Sequence, residues 1–564
     1  MERMKQILEC VPNFSEGNDE KVIKQITDAI EAVDGVKMLD VDPGKATNRT
    51  VVTFVGDPDS VIEAAFQGIK TASELIDMSK HKGAHPRFGA TDVCPLIPVS
   101  NITMEEAVEY AYKLAQRVGD ELGIPIYCYE FAAKQPERKS LAFCRSGEYE
   151  GLKEKLTKPE WKPDYGPAEF NSKSGVTAIG ARNFLVAYNV NLNTTSTRRA
   201  NAIAFDIREA GRILREGNKV TGKVVKDENG EPVRVAGDLK ATRAIGWYIE
   251  EYGIAQISIN LTDINVTSIH EAFDKTCQRA QERGIRVTGS ELVGVVPLKA
   301  MLDAGKYFLK KQNRSTGISD EEIIKIAVKS LGLDELYPFD PKKKIIEYML
   351  EDDQEKLIDL TVKGFAYETA SESPAPGGGS VSAYVGSLGI SLATMVANLS
   401  SHKRGWDDRW EEFSDWADKG KAYNEELLRL VDEDTNAFNQ IMAAFGLPKG
   451  TDAEKAERKK AIQAATKFAI EIPLKVMRVA LDSMDVIETM ATIGNPNSVS
   501  DAGVGALCAR TAVMGAYLNV KINAADYDDK EFVNAVLAEA EDMVEKVTLK
   551  EAEILKSVKK CIDN

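Results

Sequence analysis

The sequence predicts a multidomain chain: two successive α+β halves followed by an all-α helical bundle. Three observations predict it. Up to about residue 290, short apolar runs alternate with apolar stripes of helical spacing, so strands and helices interleave. The order strand, helix, strand, strand, helix, strand occurs twice in that stretch, which is the βαββαβ order of a ferredoxin-like subdomain, and two such subdomains facing each other make a cleft. After about Pro341 nearly every segment has helical period and strand signals vanish. The expected division is 1–180 and 181–335 for the two subdomains, 336–355 for a linker and 356–564 for the helical domain.

In chain order, Gln6 to Val11 reads as a strand running into the loop Pro12 to Gly17, and Val22, Ile23, Ile26, Ala29 and Ile30 follow at helical spacing. Val36 to Val41 and Thr50 to Val55 read as strands joined by a polar turn, with Asp42 at the end of its strand. Val61 to Met78 is an amphipathic helix, Val93 to Val99 a strand, Met104 to Leu122 a second helix and Pro125 to Phe131 a strand. The second pass has strand Phe184 to Leu192, helix Ala200 to Arg215, strands Ile245 to Ile249 and Ile254 to Leu261, helix Ser268 to Arg283 and strand Ile285 to Val287. Between them, Asn229-Gly230 marks a hairpin within a solvent-exposed excursion, Gly217 to Val235.

With 564 residues, 43% of them hydrophobic, the chain has ample material for several cores. Its net charge of -16, without any long basic run, argues against nucleic-acid partners and anionic membranes. No apolar leader and no unbroken apolar run of about 20 residues is present, so export and membrane spanning are not expected and a cytoplasmic location is. Seven cysteines without a CxxC pair predict reduced thiols rather than a disulfide framework or a structural zinc site, and the four histidines show no metal-ligand spacing.

Chemistry-bearing residues concentrate in His81-Lys-Gly-Ala-His85-Pro-Arg87-Phe-Gly-Ala-Thr-Asp92, placed on the loop between a helix and a strand. Pro86 disfavours the α region at His85, which would hold the imidazole in a defined direction suited to a general acid or base. The irregular stretch Trp161 to Gly175 reads as a binding loop or an interdomain linker. In the helical domain Leu427, Val431, Asp434, Phe438 and Ile441 are spaced four, three, four, three, which puts Asp434 on the apolar stripe of its helix. Burial there would raise its pKa and make it a proton donor near neutral pH, unless a buried cation pairs with it. Gly377 to Ser380, ahead of a small-residue helix, is either a simple helix start or an anion-receiving N-terminus, and it lacks the lysine of a P-loop. Gly494 to Asn497 caps a later helix or lines the same pocket as Asp434.

These residues carry a resemblance. Glu9-Cys-Val-Pro-Asn-Phe-Ser-Glu-Gly17, Thr47-Asn-Arg-Thr50 and His81-Lys-Gly-Ala-His85-Pro-Arg-Phe-Gly-Ala90 resemble glutamate formimidoyltransferase. Pro376-Gly-Gly-Gly-Ser380 and Val431-Asp-Glu-Asp434-Thr-Asn-Ala-Phe438 resemble formimidoyltetrahydrofolate cyclodeaminase. Together they span nearly the whole chain in the order of the bifunctional formimidoyltransferase-cyclodeaminase family of histidine breakdown. The excursion around Gly230 departs from the pattern by its length. The resemblance implies that His85 is the transferase histidine, that Asp42 orients it and that Asp434 is the cyclodeaminase acid. It also implies that the loop Gly166, Pro167, Ala168, Glu169, Phe170, Asn171, Ser172, Lys173, Ser174 and Gly175 binds folate. Arg49, Arg87, Arg182 and Arg243 are candidates to hold substrate carboxylates. The implied substrates are formimidoylglutamate and tetrahydrofolate, the latter a co-substrate that also occurs polyglutamylated, with no metal or redox cofactor and with assembly into a homo-oligomer. The alternative is a transferase alone, with a helical domain that serves assembly.

Overall fold

The computed structural model describes residues 6–45, 47–83, 86–218, 221–350 and 356–563. They form two compact units, Met1–Ala304 with Val328–Glu351, and Gly305–Ala327 with Asp352–Asn564.

The first unit opens with β1 (Ile7–Cys10), β2 (Asn13–Phe14), α1 (Glu20–Glu31), β3 (Val36–Gly44), β4 (Arg49–Gly56), α2 (Pro58–Leu75), β5 (Thr91–Ser100), α3 (Met104–Leu122) and β6 (Ile126–Glu130). Two short helices, α4 (Leu141–Cys144) and α5 (Glu148–Lys155), precede β7 (Thr177–Ala181). The sheet runs β1-β4-β2-β5-β7-β6 with β3 on the outer side of β4, and β1 and β2 are two pieces of one strand, each lying between β4 and β5. The strand β7 has no counterpart in the sequence reading, because Thr-Ala-Ile-Gly-Ala is short and lacks alternation. It is wedged parallel between β5 and β6 and extends the sheet. Helix α3 starts and stops where its pattern does. Thr103 and Glu106 form a capping box at its front, and Gly123 takes a left-handed φ of 64° at its end.

The second sheet contains β8 (Val186–Leu192), β11 (Thr242–Ile249), β12 (Ile254–Leu261) and β13 (Val287–Val293), in the antiparallel order β11-β12-β8-β13, with α6 (Thr197–Ile207) and α7 (Ile269–Gln281) as crossovers. The expected helix from 200 to 215 ends eight residues early. Gly211 is left-handed, and the backbone of 235–237 presses on it where a side chain would stand, so the chain turns into β9 (Arg212–Ile213), which pairs with β10 (Arg234–Val235). At the excursion's tip the Asp227 carboxylate accepts the Asn229 and Glu231 amides, and Gly230 takes the positive φ. The last strand begins where a three-residue strand was expected and runs on to Val293.

Helices resume at α8 (Leu298–Lys311) and α9 (Asp320–Leu331), earlier than the change of pattern at Pro341. Residues 305–327 belong to the helical unit: the Thr316 amide donates to Ser414, and the Asn398 side chain donates to the Gly317 carbonyl. The segment with α10 (Pro341–Lys344) and α11 (Ile346–Met349) belongs to the first unit instead, where Ile345 and Ile346 are buried. After α12 (Val362–Thr369), the bundle proper is α13 (Gly378–Ser401), α14 (Trp410–Gly446), α15 (Asp452–Ile493), α16 (Val499–Ala524) and α17 (Lys530–Ile562). Its core includes Leu427, Leu430, Val431, Ile470, Met477, Ile487 and Val513. Helix α13 is long and apolar enough to cross a membrane by length and composition alone, but more than half of its apolar window is buried in the bundle. A Cβ on Gly389 would lie 2.8 Å from the Gly505 carbonyl, so the paired glycines let α13 and α16 approach closely.

Candidate functional sites

In the α+β unit, four segments far apart in sequence meet at one corner of the first sheet. The turn after β3 is tied to two of them through Asn48, a non-glycine residue with φ 48°. Its side-chain oxygen accepts the Gly17 amide at 3.0 Å, and its side-chain nitrogen donates to the Lys82 carbonyl at 2.9 Å. The segment before β5 is tied to the first strand, because Ser15 donates its amide to the Ala90 carbonyl (2.8 Å) and its hydroxyl to the Gly89 carbonyl (2.7 Å). The fourth segment is the second half of the expected folate loop. The Ala90 amide donates to Ser174, Met78 to Lys173 and Val176 to Phe88, while Gly175, at φ 67°, bridges to Gly89. Asn171 folds this loop on itself by accepting the Lys173 and Ser174 amides, and Phe170 packs on the Tyr149 ring. Residues Gly166, Pro167, Ala168 and Glu169 are exposed, with Gly166 (φ 76°) against Gly119 and Ile124.

His85 lies outside the described residues. The chain leading to it is held closely, since a Cβ on Gly83 would collide with the Thr47 carbonyl. His81 has both ring nitrogens engaged. Its Nδ1 accepts from Arg87 Nε at 3.1 Å, and because a guanidinium only donates, Nδ1 carries the lone pair and Nε2 the proton that is given to the Asn48 carbonyl at 2.9 Å. The two contacts fix the orientation of the His81 ring. Arg87, expected as a carboxylate holder, is buried and already spent on Glu150 (2.8 and 3.0 Å) and Glu148 (3.1 Å). A cleft of about 720 Å³ opens there, lined by His81, Lys82, Gly83, Arg87, Glu148 and Glu150.

Behind this corner Asp92 is fully buried; it accepts the Phe88 amide at 3.0 Å and pairs with Arg145. Burial raises its pKa, against the pull of Arg145, the Phe88 N–H and Arg49. Burial and the neighbouring Arg145 charge lower the pKa of Arg49, while Asp92 and Asp42 oppose that shift. Asp42 is exposed and sits inside β3 rather than at its end, opposite Val51, because the ladder continues through Gly44 and Arg49. Arg182 stands apart. Its amide pairs with Leu96, some four residues or about 13 Å along β5 from Asp92, and its charge acts on buried Glu9 and on Glu130. Burial pushes Glu9 up to about 7, with Arg182 pulling it down. Arg243, exposed on β11, lines a separate cavity of about 530 Å³ with Arg208, Glu209 and Thr242.

In the bundle, Asp434 lies on the apolar stripe of α14 with Leu427 and Val431 buried before it. Asp432 and Glu433 point elsewhere: Asp432 accepts the Leu357 amide, and Glu433 pairs with Arg429. Asp434 Oδ2 accepts the Ser380 amide (2.8 Å), so the N-terminus of α13 receives the protein's own carboxylate, and it lies 3.1 Å from the Ser380 hydroxyl, whose single proton is shared with the Val431 carbonyl at 2.8 Å. Gly379 is required beside it, since a Cβ would collide with Asp434 Oδ1. Burial raises the Asp434 pKa, the two Ser380 hydrogen bonds oppose it, and no lysine or arginine among the described residues takes part. Asn495 is not in this site. Its amide donates to Ser400, at the other end of a 24-residue helix and so about 30 Å from Ser380.

Arg145 and Glu150 are partners that the sequence does not single out: each acts over 50 residues or more, and nothing in its local pattern marks it. Ser380 stands in a motif that the sequence does mark, but its pairing with Asp434, 54 positions on, is not written there. Among the described residues no group of histidine, cysteine and carboxylate side chains could hold a metal ion.

Three family models cover the chain in succession: the N-terminal subdomain of the formiminotransferase domain matches residues 7–182, the formiminotransferase domain 187–351, and formiminotransferase-cyclodeaminase 361–542. The formimidoyltransferase-cyclodeaminase of Mus musculus is 44% identical over 531 residues, 94% of either chain. The chain belongs to the formimidoyltransferase-cyclodeaminase family. Separate relatives match parts of it. A glutamate formimidoyltransferase of Streptococcus pyogenes is 42% identical over 310 residues, 55% of this chain and 95% of its own. A methenyltetrahydrofolate cyclohydrolase of Methylorubrum extorquens is 36% identical over 199 residues, 35% of this chain and 96% of its own. Membership makes the chain an enzyme of both transferase and cyclodeaminase type.

Proposed function

We propose that the chain moves the formimidoyl group of N-formimidoyl-L-glutamate to N5 of tetrahydrofolate and then closes 5-formimidoyltetrahydrofolate to 5,10-methenyltetrahydrofolate with release of ammonia. Transfer passes through a tetrahedral carbon; a proton leaves N5 and one reaches the departing glutamate nitrogen. His85 is the group that carries both, as a single imidazole titrating near neutrality can. Asp42 orients it, Gly166 to Gly175 cradles the folate, and Arg49 and Arg182 hold carboxylates. The hydrogen bonds of Lys173, Ser174 and Val176 to Met78, Ala90 and Phe88 support this reading, since those residues flank the segment that carries His85 in the sequence. In the second step N10 attacks the formimidoyl carbon and the nitrogen leaves as ammonia once protonated by Asp434. The observation that carries this reading is the setting of Asp434: burial raises its pKa, which favours the acid form, and no lysine or arginine among the described residues opposes that shift.

The same proposal takes 1–180 and 181–335 as ferredoxin-like transferase subdomains across a cleft, 336–355 as the linker and 356–564 as the cyclodeaminase domain. The strand order β11-β12-β8-β13 supports it in the second subdomain, and β3-β4-β1/β2-β5 repeats that order in the first. Tetrahydrofolate, mono- or polyglutamylated, is the co-substrate, with no metal or redox cofactor and no nucleic-acid or membrane partner. The protein works in the cytoplasm as a homo-oligomer. Exposed Leu388 and Leu399 on α13, with Leu507, Leu518 and Ile522 on α16, support self-association.

Product analysis with formimidoylglutamate and tetrahydrofolate tests the reading. Glutamate, ammonia and a methenyl chromophore together are expected. Glutamate without ammonia would leave a transferase alone, and neither product would remove the proposal.

A further inference from the structure

We propose that an arginine-lined cavity between α6 and the excursion, apart from both sites above, binds a compact polyanion bearing several carboxylate or phosphate groups. The cavity measures about 420 Å³, within the range of small-ligand sites, and its wall carries Arg198, Arg208, Arg212, Arg215 and Arg234 around Phe205. None of its described lining residues is acidic. In a chain of net charge -16, five guanidiniums on one wall run against the overall balance.

The fold brings them together. Arg198, Phe205 and Arg208 recur on one face of α6 and its end, Arg212 and Arg215 lie on the chain leading into the excursion, and Arg234 lies on its returning strand, which pairs with β9. Arg212 is matched by Asp206, which also holds Arg283. The other four have no ion-pair partner among the described residues. Arg208 uses only Nε, on the Gly211 carbonyl at 3.0 Å, and rests 4.0 Å over the Phe205 ring; Arg215 gives one N–H to the Gly222 carbonyl at 2.8 Å. Most of the fork donors of these four have no partner among the described residues. Arg208 also feels Arg234 as a like charge, which together with burial lowers its pKa. Crowded like charges with unused planar donors are relieved by an oxyanion that bridges them, and only a molecule with several negative groups spans them at once.

Calorimetric titration of the full chain at low salt with citrate and with tripolyphosphate tests this. At least one is expected to bind one site per chain with a Kd below about 100 µM, weakening as salt is raised. Tighter citrate binding assigns a polycarboxylate, tighter tripolyphosphate binding an organic phosphate. The double variant Arg198→Gln, Arg234→Gln is expected to weaken binding at least tenfold, with both enzymatic activities and the melting temperature unchanged. Should it fail to fold, Arg198→Gln alone, at an exposed position, is expected to weaken binding severalfold. No saturable binding of either anion below millimolar, or variants that bind as tightly as the parent, would overturn the proposal.

Discussion

Asp92 in the α+β unit and Asp434 in the bundle are both carboxylates that burial pushes upward, and their surroundings answer that in opposite ways. Asp92 is paired with Arg145 and feels Arg49, so its charge has cations to compensate it. Asp434 has, among the described residues, the N–H of Ser380 and a share of its O–H, which the Val431 carbonyl also takes. Glu9 is intermediate, with the single charge of Arg182 acting on it. The shared direction of the pKa shift therefore says little about role. What separates them is what neutralisation would strand: arginines around Asp92, and no lysine or arginine among the described residues at Asp434.

The largest expected effect is on chemistry in the bundle. Asp434→Asn keeps size and an acceptor for Ser380 but cannot donate as a carboxylic acid, so ammonia release should fall by about 10²- to 10⁴-fold. Because no cation is stranded, the melting temperature should hold or rise slightly. Near-normal ammonia release would break the assignment, and a melting collapse would make Asp434 an Asp92-like structural group.

Asp92→Asn should do the reverse. Removing a buried charge from Arg145 costs about 3–5 kcal/mol, which thermal or urea unfolding of the variant would register, with transferase activity lost alongside. A variant as stable as the parent would erase the contrast with Asp434.

Glu9→Gln sharpens the middle case through pH. A carboxyl at about 7 folded against 4.5 unfolded binds more protons in the native state between those values, so its contribution falls as pH rises from 4.5 through 7 and is complete below 4.5. The shift corresponds to about 3 kcal/mol, and the variant should gain stability relative to the parent at pH 8 but not at pH 4.5. Equal differences at both pH values would show that Arg182 compensates Glu9 fully.

The smallest effect concerns Ser380→Ala, which removes a hydroxyl shared between the Asp434 anion and the Val431 carbonyl and costs about 1 kcal/mol. A general acid is lost as pH rises through its pKa, so weakening its anion should move the basic limb of the cyclodeaminase pH profile upward. An unmoved or lowered limb would detach Ser380 from the proton on Asp434.

Much of this was legible in the sequence because it is local. The capping box at Thr103 and the glycine at 123 lie next to the helix they delimit, and the four, three spacing puts Asp434 on its stripe without knowledge of any neighbour. The tertiary structure alone decided the partners. Ser380 reaches Asp434 across 54 positions, and Arg145 reaches Asp92 across 53. The loop 170–175 docks on a segment some 85 residues earlier, and Arg87, a plausible substrate holder by type, is consumed by Glu148 and Glu150. Backbone periodicity is set by residues three or four apart and is written in any short window. Whether a buried charge is compensated depends on which distant side chains the folded backbone carries to it, and no window contains both.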